Sequence, residues 1–509
     1  MATGRSRSAR QHIAIGNARL TARRQSAACL SLFALIAMAG ADVFSQTAQP
    51  ARSLPAVAAP PAQSSPPPFQ PLRYEEDWRY LKDESMRSEW LDRMKYIPLN
   101  SGGWYLSLGG EARIRYEYFD QFNFGAGPQD PDGYLLQRYL LHTDAHFGKR
   151  VRVFTQLQSA IGLGRSGGPR PTDDDRLEAE QAFVDLKFGD EAKFLTLRVG
   201  RHEMDFGSGR LISAGEGLNV RRSFDGVRVI YRQGPWLVNG QVNKLVSIKR
   251  GLFNDGPDWS QTFWGVGATR PRPKMRGGHQ FAYIGLDRKE GRFDQGTGRE
   301  LRHTAIARAF GASDDTAGHF DYNVDTIFQW GNFMSAGREI NIRAWALAMD
   351  LGHTIDRIPL KPRLGLRADA TSGDTDPNDH RLQTFNPLFP GTAYSDTIGL
   401  IGAPNSLAFN PNLRVTVKQR WTVSTGTTFF WRQSVRDGIY AINVAPLRTG
   451  QKSRARKVGT LPSVRVDWLI TRHLTYTAIY SHFFAGRFLK ETPPGEDVNF
   501  VSTWLTFRF

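Results

Sequence analysis

The chain has 509 residues, a formal net charge of +17 and a mean hydropathy of −0.42. Hydrophobic residues make up 40%, and beyond the N-terminal region there is no apolar run of about 18 residues, which excludes a helical membrane protein. The single cysteine, Cys29, lies near the N-terminus, which excludes disulfides, Cys-ligated zinc and thiol catalysis from the rest of the chain.

Residues 1–45 read as an export signal. Arg5, Arg7, Arg10, Arg19, Arg23 and Arg24 form a basic n-region, residues 27–40 an apolar core, and Val43-Phe44-Ser45 a cleavage site before Gln46. A surface amphipathic helix is the alternative. Cys29 precedes most of the apolar core and is badly placed as a lipid acceptor. Residues 46–73, rich in Pro and Ala, read as a disordered linker. Residues 74–103 set Trp78, Tyr80, Leu81, Trp90, Leu91, Met94 and Ile97 among many charges. One or two short helices beneath a barrel mouth, or a disordered lead-in, would both fit.

From Trp104 onward the dominant signal has period two, the signature of strands. Leu106, Leu108, Ala112, Ile114, Tyr116 and Tyr118 share one face; Glu111, Arg113, Arg115 and Glu117 share the other. A face with four charges suits a wet lumen and not a dry sandwich core. Residues 150–160 and 181–188 repeat the pattern. Further strands are expected at 134–147, 194–202, 225–233, 236–248, 263–270, 279–287, 302–311, 320–332, 339–352, 363–372, 406–417, 421–433, 458–469, 473–484 and 497–509. The last places Val501, Thr503, Leu505, Phe507 and Phe509 opposite Ser502, Trp504, Thr506 and Arg508, like a closing barrel strand. The fold class is therefore all-β: a transmembrane antiparallel barrel of roughly 16 to 18 strands spanning 104–509.

Connections alternate in length. Residues 147–150 and 470–473 read as tight periplasmic turns; 162–175 and 371–404 read as long extracellular loops, the second either capping the barrel or folding into it. Trp104, Tyr116, Tyr118, Trp264, Trp330, Trp345, Trp431, Trp468 and Trp504 are candidates for the interfacial aromatic girdles, with sugar-facing positions in the lumen as the alternative for some of them.

Four stretches in order resemble the alginate export family of outer-membrane barrels. They are Glu76-Asp77-Trp78 with Leu106-Ser107-Leu108-Gly109-Gly110-Glu111-Ala112-Arg113; Leu197-Arg198-Val199-Gly200-Arg201 with Asp205-Phe206-Gly207 and Gly209-Arg210-Leu211; Thr384-Phe385-Asn386-Pro387-Leu388-Phe389-Pro390; and Phe430-Trp431-Arg432-Gln433-Ser434 with Asp437-Gly438-Ile439-Tyr440. The resemblance implies a monomeric, porin-like channel whose arginine-lined lumen passes an acidic polysaccharide.

A channel needs a constriction whose charge matches its solute, and the planar fork of arginine pairs bidentately with carboxylates. Candidates on polar strand faces are Arg113, Arg115, Arg138, Arg152, Arg198, Arg367, Arg432 and Arg465. Arg201 and Arg210 join them through the family-like motifs. Arg198, Arg201 and Arg432 lead the set, although Arg201 has the parity opposite to Arg198 and needs a bulge near Gly200 or a place beyond the strand. Glu111, Asp185 and Asp369 are the expected pairing acids. For any one arginine, structural pairing within the wall competes with solute contact. The partners expected are acidic polysaccharide or small anions, outer-membrane lipid and a periplasmic delivery protein. The basic residues are spread along strands rather than clustered, so nucleic acid is not expected. No cofactor, metal or catalysis is expected, and no His-Glu-x-x-His pattern occurs. A general or small-organic-acid uptake porin is the alternative; an outer-membrane enzyme or adhesin is more remote.

Overall fold

A computed structural model describes residues 67–100, 102–272, 276–313, 318–391 and 398–509. The export signal and most of the linker read from the sequence lie outside these residues. Eighteen antiparallel strands form the wall. In chain order they are β1 (Tyr105–Asp120), β2 (Tyr134–Phe147), β3 (Val151–Leu163), β4 (Asp175–Gly189), β5 (Lys193–Glu203), β6 (Ser223–Gln233), β7 (Trp236–Ser247), β8 (Gln261–Arg272) and β9 (Gly277–Phe293). They continue as β10 (Gly296–Ala312), β11 (His319–Ser335), β12 (Arg338–Thr354), β13 (Arg363–Thr371), β14 (Ser406–Val417), β15 (Trp421–Arg432), β16 (Lys457–Leu469), β17 (Leu474–Ala485) and β18 (Val498–Arg508). Each pairs with its neighbour in sequence, and β18 closes on β1 from Glu111↔Arg508 to Asp120↔Asn499. Closure leaves no unpaired edge, the condition for strands to cross hydrocarbon.

Alternation sorts the side chains. Ile114, Leu141, Val199, Val242, Phe281, Phe328, Leu364 and Leu505 lie exposed on the outer face, an apolar belt that lipid would cover. Glu111, Arg113, Arg138, Asp185, Arg198, Asp325 and Asp369 are buried on the inner face. Two sequence boundaries fell short for one reason. The β3–β4 ladder shifts register between Gln156 and Leu157 and again between Gln158 and Ala160, and the β9–β10 ladder shifts between Arg288 and Gly291. Bulges break period two, so only residues 181–188 and 279–287 of these strands were visible as alternation.

One end of the barrel carries short turns, such as 148–150 and 470–473, together with both ends of the strand array; the other carries the long connections. Two of these turn inward. Residues 204–222 and 372–391 meet at Ile212 and Phe389, where the Ser213 N–H donates to the Phe389 carbonyl (2.9 Å) and the Phe389 N–H to the Leu211 carbonyl (2.8 Å). Leu211, Ile212, Phe385 and Phe389 then bury against Phe224, Phe263, Ile284, Ile306 and Ile327 on the inner wall. Of the two expectations for residues 371–404, folding into the lumen is the one observed for the described residues 372–391.

The lead-in enters from the short-turn end. It is built of short helical turns at Arg73–Glu75, Arg79–Lys82, Glu84–Met86 and Asp92–Lys95. Leu72 and Tyr74 pack inside the wall with Phe154, Phe183 and Ala214, so this segment reaches the inturned loop from below. Its later part stays at that end, where Arg472 of the 470–473 turn lies 3.5 Å from Asp92.

Candidate functional site

The lumen is the place where polar side chains converge. Near its centre Glu111 is a hub. Arg138 sends Nε (2.9 Å) and Nη2 (2.5 Å) to Glu111 Oε1, while Arg73 Nη2 (2.8 Å) and Arg508 Nε (2.9 Å) reach Oε2. Register places Arg113 directly opposite Arg138. Two like charges in that relation repel. Here the loop answers them: Arg113 donates to the carbonyls of Glu216 (3.0 Å) and Leu218 (2.6 Å), and Arg138 Nη2 lies 3.0 Å from Glu216 Oε1. Arg221 ties the same loop to Glu203 at 2.5 Å. This cluster fixes residues 204–222 inside the barrel.

A second group surrounds Tyr74. Arg198 forms a two-pronged pair with Asp185 (2.8 Å on each prong) and stacks over Phe183 (3.9 Å) and Tyr74 (4.2 Å). Arg152 pairs with Asp144 at 2.7 Å and donates to the Tyr74 carbonyl at 2.6 Å. The Tyr74 hydroxyl donates to the Glu203 carbonyl at 2.9 Å, and burial pushes its pKa up to about 12. Nearby, Lys95 lies against Trp78 (4.8 Å) and Phe69 (5.6 Å) with its nearest carboxylate, Glu76, at 4.0 Å; burial pushes its ammonium down to about 8.

Three candidate arginines take other places than the sequence reading gave them. The ladder runs through Gly200 without a shift, so Arg201 shares the outward face of Val199 and Ala182 and pairs with Asp225 at the loop end (2.8 Å). Gly200 itself has φ +127°, and a Cβ there would come 2.3 Å from the Ala182 carbonyl, which explains a glycine between the two arginines. Arg432 faces inward but is 0% exposed, donating to the carbonyls of Asp437 (2.9 Å), Ser453 (2.9 Å) and Ala455 (3.0 Å); it braces the long loops. Arg210 belongs to the inturned loop and pairs with Asp369 of β13, with Asp325 at 3.5 Å. Arg113, Arg138 and Arg198 do face the lumen, yet all three are buried in the contacts above.

Water-facing cations lie elsewhere on the inner wall. Arg465 is 42% exposed beside Asp467, and Arg367 is 34% exposed with Asp350 at 3.7 Å. Arg115 pairs with Glu117 and donates to Ser502 Oγ at 3.1 Å. Several lumen arginines were missed, among them Arg363, Arg414 and Arg228. Arg414 stands directly opposite Arg363, and Arg228 directly opposite Arg198. Asp321 (2.5 Å) and Asp350 (3.2 Å) hold Arg363, whereas no carboxylate pairs with Arg414 among the described residues. Arg228 donates to the Asn239 side-chain oxygen at 3.0 Å, with no carboxylate partner among the described residues. Both alternate with outward Val227 and Val229, or Leu413 and Val415, so the period-two rule was sufficient to find them.

Trp504 takes the second of its two expected places. It sits on the inner face of β18 with the Arg115 guanidinium 4.9 Å and that of Arg465 5.4 Å from its ring, so it is no girdle residue. Gly164-Arg165-Ser166-Gly167-Gly168 has the G-x-S-x-G spacing of a nucleophile elbow, which sequence reasoning passed over. It lies in a loop between two strands, and Ser166 Oγ donates to the Gln129 carbonyl at 2.7 Å; the strand-to-helix turn that gives that spacing its chemistry is not there. Among the described residues, no group of three or more His, Cys, Asp or Glu side chains is arranged to hold a metal ion.

Known structures share this architecture. The Pseudomonas aeruginosa porin OccK5 (OpdH) superposes with a TM-score of 0.54 at 9% identity, over 79% of this chain and 98% of that one. OccK2 (OpdF) from the same organism, solved in complex with glucuronate, gives 0.54 at 10% identity over 79% and 96%. A BenF-like porin from Pseudomonas fluorescens Pf-5 gives 0.56 at 10% identity over 79% and 99%. No curated protein matches the sequence. The profile of the family described as "Alginate export" matches residues 104–501, most of the chain and nearly all of the barrel, and the chain belongs to that family.

Proposed function

We propose that this protein is an outer-membrane channel for anionic solutes, with the short turns in the periplasm and the long loops outside. The carrying observation is the cluster near the short-turn end, where Arg363, Arg367 and Arg414 on the inner wall of β13 and β14 lie beside Asp321 and Asp350 of β11 and β12. Three guanidiniums against two carboxylates leave a net positive field in a low-dielectric wall, which draws anions and repels cations. Arg367 and Arg414 carry solute contact, with Arg115, Arg228 and Arg465 further along; Arg113, Arg138, Arg152, Arg198 and Arg432 shape the wall and hold the inserted segments.

With the lead-in and two loops inside the barrel, the conformation favours small organic acids or short acidic oligosaccharides over an extended polysaccharide chain. The porins of similar fold include one solved with glucuronate and one, OpdK, with vanillate, both small acids. The protein acts as a monomer in this reading, and an acidic polysaccharide would pass only after the inserted segments move. Liposome swelling tests the proposal: an organic anion should enter faster than a cation of equal size, and Arg414→Gln with Arg367→Gln should narrow the difference several-fold. Equal rates for both solutes in the native protein would refute it.

A further inference from the structure

The inner wall at mid-depth carries an arrangement that charge selection alone does not require. Strand register sets Asp467, Thr477, Trp504 and Arg115 side by side on β16, β17, β18 and β1, with Arg465 and Ser502 in the next row toward the loops. The order is fixed by backbone pairing, so these groups hold their spacing without a ligand. Asp467 is oriented by Arg465 (2.7 Å from each guanidinium prong) and by the Thr477 hydroxyl at 2.7 Å. Arg115 is oriented by Ser502 Oγ and by the Gly217 carbonyl at 2.7 Å. Between these two fixed charges lies the indole.

Other inward rings on neighbouring strands, such as Phe430, Phe483 and Phe500, are buried beneath the long loops. Trp504 packs against the edge of that cluster and keeps part of its surface open. A large aromatic ring facing lumen water loses hydrophobic stabilisation there unless something covers it. Arg465, 42% exposed on a flexible stem, covers it only loosely.

We infer that Trp504 with Arg115, Arg465 and Asp467 is a binding subsite for a ring-bearing hydroxy-carboxylate, with the ring lying on the indole. The carboxylate pairs with a guanidinium, ring hydroxyls donate to Asp467, and the apolar ring face covers Trp504. An open-chain acid of equal charge satisfies the guanidinium but leaves the indole bare, so the subsite selects rings. The inference rests on the anion-channel reading for its physiological meaning, but ring binding can be measured without conduction.

The test is saturation-transfer NMR on the purified full-length barrel in detergent, with galacturonate and 4-hydroxybenzoate as ring acids and gluconate as the open-chain control. The native protein should transfer saturation to the ring protons of at least one ring acid and several-fold less to gluconate. Galacturonate alone identifies a sugar acid, 4-hydroxybenzoate alone an aromatic acid. Trp504→Ala should reduce the ring-acid signal at least five-fold, and Trp504→Phe, which keeps a ring in the wall, should retain part of it. Anion preference in liposome swelling should survive both substitutions, because both arginines remain. Equal signals from native protein and Trp504→Ala, no ring-proton signal in the native protein, or gluconate signals as strong as those of the ring acids would overturn the inference. Loss of anion preference in the native protein would instead refute the channel reading.

Discussion

Replacing Tyr74 with alanine should release the lead-in from the barrel. Tyr74 is buried, edge-on to Phe183 (5.4 Å) and Phe154 (6.0 Å), capped by Arg198 and hydrogen-bonded to the Glu203 carbonyl. Truncating a buried aromatic side chain costs about 3–5 kcal/mol. All of these contacts join the lead-in to the wall or to its loop, so the loss falls on docking rather than on barrel folding. At about 1.4 kcal/mol per factor of ten, the released population should rise roughly 100- to 4,000-fold. Trypsin has sites at Arg87 and Arg93 in this segment, and cleavage of a transiently opened segment tracks its open population. The cleavage rate should rise by the same factor, and single-channel conductance should increase because the lumen loses an obstruction. Unchanged cleavage together with unchanged conductance would refute the idea that Tyr74 anchors a segment occupying the pore.

Other outcomes follow from the same contacts. Glu111→Gln leaves Arg73, Arg138 and Arg508 around an uncharged group, and breaking a buried ionic hub costs about 3–5 kcal/mol; urea unfolding in detergent should shift to lower concentration, and a shift worth under about 1 kcal/mol would contradict the hub. In the long loops, burial lifts Asp374 from 3.8 to about 7, and Asp437, whose carboxylate accepts the Asp374 N–H at 2.8 Å, is raised as well. A carboxyl raised on folding stabilises the loop contact below its unfolded value and loses that contribution as pH rises through about 7. Hydrogen exchange at residues 373–375 should therefore be slower at pH 5 than at pH 8 after correction for intrinsic rates, and Asp374→Asn should flatten the difference; a flat profile in the native protein would count against it.

Much of the fold was legible because a barrel writes itself in period two. Residues 134–147 and 406–417 were bounded to the residue, since uninterrupted ladders alternate cleanly. Strands with bulges were shortened in the reading, because a bulge erases parity where it occurs. The lumen chemistry was only half legible. Parity told that Arg113, Arg138 and Arg198 face inward, but not that the lead-in and residues 204–222 fold back and bury them. Those contacts join residues far apart in sequence, as in Arg113 to Leu218, and no local pattern encodes them. Motif likeness promoted Arg201 over its parity, and parity was the better guide. For Trp504 the general preference of tryptophan for membrane interfaces favoured a girdle place, and its parity with Ser502, Thr506 and Arg508 was again the better guide.

The central claim is that an inward cationic bias makes this barrel an anion channel, and a reversal-potential measurement tests it most directly. With the purified protein in a planar bilayer under a tenfold potassium chloride gradient, the account predicts a reversal potential on the chloride side of zero, moving toward zero when Arg367 and Arg414 are neutralised. A reversal potential at zero or on the potassium side in the native protein would contradict it.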